Sequence, residues 1–125
     1  MPWPKNMKLI DANVILRYLL NDHPEMSLQA KEIIASGAYT KPEVIAEVVY
    51  VLKGVYQVTR NDTRRFIGEL LRCVSCTEVL AVKAALELYA DTSLDFVDCL
   101  LTAYHQVNGE EVFTFDRKLI RYLEK

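Results

Sequence analysis

The chain has 125 residues, 51% of them apolar and 26% charged. That size and composition suit a single domain over residues 1–125 with a core of its own, and they exclude a disordered tail. Fifteen Lys and Arg stand against 17 Asp and Glu, a formal charge of −2. The bulk positive field of a nucleic-acid coat protein is therefore absent, and a polyanionic partner has to be met by a local basic patch or by a metal.

No apolar run approaches the roughly 18 residues that span a bilayer, and Met1-Pro-Trp-Pro-Lys-Asn6 lacks the apolar stretch of a secretory signal. No membrane partner and a cytoplasmic location are expected. Cys73, Cys76 and Cys99 are too few for a disulfide scaffold and fit a reducing compartment. Cys73 and Cys76 have CxxC spacing, yet a structural zinc site needs two further ligands, and His23 and His105 stand apart from them. The pair reads as small apolar residues packing where a helix meets a strand.

In chain order, Met7–Asp11 reads as a short strand feeding a helix that continues from Asn13 to Leu20. Pro24 opens a second helix with Leu28, Ala30, Ile33 and Ile34 on one face, stopped by Gly37. A brief strand at Tyr39 and Thr40 precedes a helix from Pro42 through Leu52, so apolar that it has to pack on more than one side. Asn61 or Asp62 caps an amphipathic helix with a stripe of Phe66, Ile67, Leu70 and Leu71. Thr77–Leu80 is strand-like, Lys83–Ala90 helical, and Asp95–Val107 a longer helix closed by Asn108-Gly109. Val112–Phe115 alternates as a last strand before a last helix, Arg117–Leu123. Short strands alternating with helices predict an α/β fold with a mostly parallel sheet covered on both faces.

Four acids are embedded in apolar sequence, where losing water is costly without compensation. Asp11 and Asp116 each end a strand pattern and begin a helix, either as ligands at the carboxyl edge of a sheet or as plain N-caps. Glu47 is the only charge between Glu43 and Lys53. It faces outward beside Glu43, or pairs with a lysine or arginine, or serves a site. Asp98 lies in Phe96-Val-Asp-Cys-Leu-Leu101 and shares a helical stripe with Asp95, Thr102 and His105, which is otherwise simply a wetted face. Asp95 is best placed to cap that helix.

Converging carboxylates repel, so such a group makes physical sense around a hard divalent cation. Oxygen-only ligands favour Mg²⁺ or Mn²⁺ over zinc. Asn13 and Thr114, close to the strand-end acids, are candidates to hold metal-bound water. Setting the four acids aside leaves a charge of +2, and Lys53–Arg72 holds five bases against two acids. An acidic metal pocket beside a basic helix suits a phosphodiester, whose hydrolysis by one or two Mg²⁺ ions needs no histidine base. Arg60, Arg64 and Arg65 are the candidate RNA contacts, with the solvated side of an amphipathic helix as the alternative.

These residues resemble the PIN-domain ribonucleases and, among them, the VapC-type toxins of toxin–antitoxin pairs. The resemblance is carried in order by Ile10–Arg17, Asp22–Glu25, Pro42–Leu52, Asp95–Leu101 and Phe113–Leu119. It implies a three-layer α/β/α sandwich with a five-stranded parallel sheet, whereas the residue pattern itself yields four strands. It implies metal-dependent endonucleolytic cleavage of an RNA substrate, with Asp11, Glu47, Asp98 and Asp116 as the catalytic and metal-binding quartet and Asn13, Thr114 and Asp95 in support. A homodimer or higher homo-oligomer and an antitoxin protein partner are implied as well. Ala12 stands where the family commonly has Thr or Ser, which removes one hydroxyl and no carboxylate. The competing reading is a catalytically inactive PIN-like module that binds RNA or protein, and it predicts no stabilisation by metal. An aspartyl-phosphate phosphatase would want a second acid at position 13, where Asn13 stands.

Overall fold

The structure, a computed structural model, describes residues 6–125. The first strand, β1 (Lys8–Leu9), runs into helix α1 (Ala12–Leu20), which is followed by α2 (Pro24–Ala35) and β2 (Ala38–Thr40). Helices α3 (Pro42–Gly54) and α4 (Arg60–Leu70) lead to β3 (Ser75–Cys76), and α5 (Val79–Asp91), α6 (Phe96–Asn108) and α7 (Arg117–Leu123) complete the chain. The strands form one parallel sheet in the order β1-β2-β3. Lys8 pairs with Ala38 and Leu9 with Tyr39, and then Tyr39 pairs with Ser75 and Thr40 with Cys76. Parallel neighbours need a crossover, and a helix pair supplies each one.

Local chemistry explains most of the boundaries. Proline opens α2 and α3 at the first helical position, where its missing N–H costs nothing. The His23 ring accepts from the Met26 amide at 3.2 Å to cap α2. Gly109 closes α6 at φ 71°, a left-handed conformation that a side chain would strain. The apolar faces of α1 (Ile15, Leu16) and α3 (Ile45, Val48, Val49, Leu52) are buried together with Val82, Ala85, Leu86 and Tyr89 of α5 and with Cys99 and Leu100 of α6. Each large aliphatic side chain so buried contributes about 1.5–3 kcal/mol. α3 packs against both α1 and α6, as its nearly unbroken apolar sequence requires.

Several expectations are corrected. Val112–Phe115 is not a strand: Phe113 and Phe115 are 85% and 89% exposed, and their rings meet edge to face at 5.1 Å. The Thr114 hydroxyl accepts from the Asp116 amide at 3.0 Å, a local turn that competes with strand pairing. The described residues therefore hold three strands rather than four or five, and β1 pairs on one side only. The strand expected over 77–80 falls at Ser75–Cys76, because Glu78 turns left-handed at φ 54° and α5 begins at Val79. Helix α4 is capped by Thr59, whose hydroxyl accepts from the Asp62 amide at 3.1 Å, and not by Asn61 or Asp62.

The CxxC cysteines differ from each other. Cys73 is exposed, whereas Cys76 is buried in β3, where burial first and Glu43 second push its thiol up to about 12. Such a thiol stays protonated and unreactive at neutral pH.

Candidate active site

Both strand-end acids cap helices. One oxygen of Asp11 accepts from the Val14 amide at 3.1 Å, and one oxygen of Asp116 accepts from the Leu119 amide at 3.0 Å. In each, only Oδ1 is used, and the second carboxylate oxygen has no hydrogen-bond partner among the described residues. Both side chains are exposed. The cap fixes the carboxylate at the start of its helix and leaves one oxygen to solvent or ligand.

The first turn of α6 is built otherwise. Asp95 occupies the N-cap position with extended backbone, yet its side chain makes no capping hydrogen bond. The preferred sequence reading of Asp95 as a cap is thus met in backbone position only. Asp98, one turn on, is partly buried, and its carboxyl lies above the ordinary value for three reasons. Burial is the largest, followed by repulsion from Asp95 and then from Asp116, while Lys118 pulls in the opposite direction. These three acids therefore share one electrostatic field. The stripe they begin is not a wetted face, since Thr102 is fully buried and its hydroxyl donates to the Asp98 carbonyl at 2.9 Å.

Lys118 is a neighbour of this acidic group that the sequence reading did not single out. It follows Asp116 by two residues in the first turn of α7, and its ammonium donates to the Ser93 hydroxyl. That spacing was the available signal: a base two residues after a strand-end acid can lean back over the same edge.

Glu47 is exposed on α3 and, like Asp11, does not contribute to the shift of Asp98. Its neighbours Ala46 and Tyr50 line a groove with Asp95 and Asp98. Asn13 lines a different hollow, of about 290 Å³, with Arg17, Met26 and Gln29. Thr114 is partly buried and holds the Asp116 amide. The ion pairs among the described residues are Arg17–Asp22, Arg64–Glu87 and Arg65–Asp62. None involves Asp11, Glu47, Asp95, Asp98 or Asp116, so no acid of the group is neutralised by a base at contact distance.

The three candidate arginines separate. Arg60 donates from Nη1 to the carbonyls of Tyr89, Thr92 and Leu94 at 2.8–3.0 Å, and its guanidinium lies 4.2 Å from the centre of the Tyr89 ring. It ties the end of α5 to the start of α6 and is committed to that structural task. Arg64 holds Glu87 and Asn61, and Arg65 holds Asp62 beside the Phe66 ring. These last two lie on the exposed side of α4, where such pairs contribute little to stability and are readily exchanged.

Carboxylates alone are the donor chemistry of a hard cation. Their present arrangement does not complete a metal site: among the described residues no three His, Cys, Asp or Glu side chains form a group that could hold an ion.

The model of the PIN domain family matches residues 8–125, and the chain belongs to that family. Comparison with curated proteins and with solved structures gave no match. The family's three-layer α/β/α fold is the class expected from the sequence, realised here with three parallel strands and seven helices among the described residues. PIN domains are generally nuclease modules that act on RNA, typically with divalent metal ions. No helix among the described residues is long and apolar enough to cross a membrane.

Proposed function

We propose that this chain is a Mg²⁺- or Mn²⁺-dependent endoribonuclease, with Asp11, Glu47, Asp98 and Asp116 as the acids that carry cleavage. The observation behind this reading is the negative field at Asp98, which Lys118 offsets only in part: a partly buried carboxyl repelled by Asp95 and Asp116, with no ion pair to any of them. A fold gains nothing from gathering like charges, and a divalent cation is the simplest species that turns such repulsion into attraction. Thr114 supports the group by orienting Asp116, and Asp95 by adding charge beside Asp98. Asn13 is a weaker supporting candidate, because the hollow it lines is a separate one. Arg64 and Arg65 are the candidates to meet the RNA backbone.

The toxin role, an antitoxin that blocks the acidic edge and a homodimer belong to the same reading, supported by the resemblance of the motifs to VapC-type toxins. The second reading, a PIN-like module that binds without cutting, draws on the missing three-ligand group.

Cleavage of a mixed single-stranded and structured RNA pool with Mg²⁺ or Mn²⁺ separates the two. Asparagine is the substitution to use, since it keeps the N-caps at Asp11 and Asp116 while removing charge. Asp11→Asn and Asp98→Asn are each expected to slow cleavage on the order of 10²-fold, the scale of removing one electrostatic contributor from a preorganised site. Unchanged cleavage in both variants would refute the assignment. Absence of cleavage by the wild-type chain would favour the binding module.

A further inference from the structure

Beside Asp98 lies a groove of about 590 Å³ between α3 and the start of α6, floored by Tyr89 of α5. That volume falls within the range of about 300–1,000 Å³ typical of small-ligand pockets. Its polar groups are unlike one another and, among the described residues, none forms a side-chain hydrogen bond or ion pair. Tyr50 stands 79% exposed on the α3 rim, and Lys53, one turn further on, forms no ion pair. Asp95 lines the opposite rim with its carboxylate unused by the helix it precedes.

Tyr89 is the exception in burial. It is 2% exposed, yet its hydroxyl is sealed from solvent with no hydrogen-bond partner. An orphaned hydroxyl of this kind costs stability unless something supplies a partner. Burial keeps that hydroxyl protonated, against the pull of Arg60 and with Cys99 and Asp95 adding to the effect.

We propose that this groove is a nucleobase subsite that takes one unpaired guanine of the RNA strand. The base stacks on Tyr50, and the phosphate that follows it meets Lys53. Stacking on an exposed aromatic ring is the general way in which proteins hold splayed single-stranded bases. The choice of base follows from the groups in the wall. A carboxylate only accepts, and guanine alone presents two adjacent donors, N1–H and N2–H, that match both oxygens of Asp95. Uracil offers a single N–H between two carbonyls, which a carboxylate repels. The subsite deepens the nuclease reading and rests on it for the RNA, since it would set which nucleotide enters beside Asp98.

The test is the affinity of the full chain for the tetranucleotides UGUU and UUUU in EDTA, followed by fluorescence anisotropy. UGUU is expected to bind about tenfold more tightly than UUUU, the scale of one bidentate base contact. Tyr50→Ala should weaken UGUU binding about tenfold, and Tyr50→Phe should retain it, because the ring does the stacking. Asp95→Asn should erase the preference for UGUU. Tyr50 is exposed, so its substitution leaves the core intact, and the Phe variant separates stacking from folding. Equal affinity for the two oligonucleotides overturns the proposal. So does a Tyr50→Ala chain that binds UGUU normally but changes its sedimentation from dimer to monomer, which would assign the groove to a second copy. Because no divalent ion is present, selective binding of UGUU by a chain that never cleaves RNA would sink the nuclease reading alone. Cleavage without a guanine preference would sink the subsite alone.

Discussion

Arg60 and Asp98 both bear on the segment that joins α5 to α6, and the protein treats the two charges in opposite ways. The cation is held by the chain: three carbonyls accept from Nη1 and the Tyr89 ring covers its face. The anion is left destabilised, with two further acids in its field, Lys118 offsetting them only in part, and no base at ion-pair distance. A charge whose partners are all supplied by the chain is explained by stability. A charge whose partners are missing points outward, to something the chain binds. The contrast separates a charge that the fold itself partners from one that it does not.

Arg60→Met keeps much of the side-chain bulk but leaves the carbonyls of Tyr89, Thr92 and Leu94 without their donor. Urea denaturation should show a loss of about 2 kcal/mol, the scale of losing hydrogen bonds from a charged, partly buried donor. A loss within about 0.5 kcal/mol, as at an ordinary surface site, would show that the cation is not a structural tie.

A smaller effect, of opposite sign, sharpens the other half. With its pKa raised by burial and by Asp95 and Asp116, folded Asp98 still holds its proton where the unfolded chain has lost it. The folded state then binds more protons than the unfolded one, so stability falls as pH rises from the ordinary Asp value of 3.8 through the raised one. Asp98→Asn should flatten this part of the stability–pH curve in metal-free buffer. An unchanged slope would mean that the field at Asp98 is already relieved.

Helices were the most legible part of the sequence, because their apolar residues recur at helical spacing and their ends carry Pro24, Pro42 and Gly109. Strands were less so. Val112–Phe115 has strand alternation, but alternation describes side chains, and a strand also needs a backbone partner. Here Thr114 binds the Asp116 amide and the two Phe rings pack on each other instead. Asp11 and Asp116 were readable as caps or ligands, and the capping half is what the backbone shows. Arg60 read as one arginine in an amphipathic helix because its acceptors lie 29 to 34 residues away, beyond any local pattern. The Tyr89 hydroxyl was invisible for a related reason: a missing partner becomes apparent only when every neighbour is in place.

Mn²⁺ titration of the isotope-labelled protein, followed by NMR, decides whether the acids around Asp98 are where a divalent cation binds. Paramagnetic broadening centred on Asp11, Glu47, Asp98 and Asp116, and lost in Asp98→Asn, is the predicted result. Broadening spread evenly over exposed carboxylates such as Glu25, Glu32 and Asp91, or unaltered by Asp98→Asn, would contradict it.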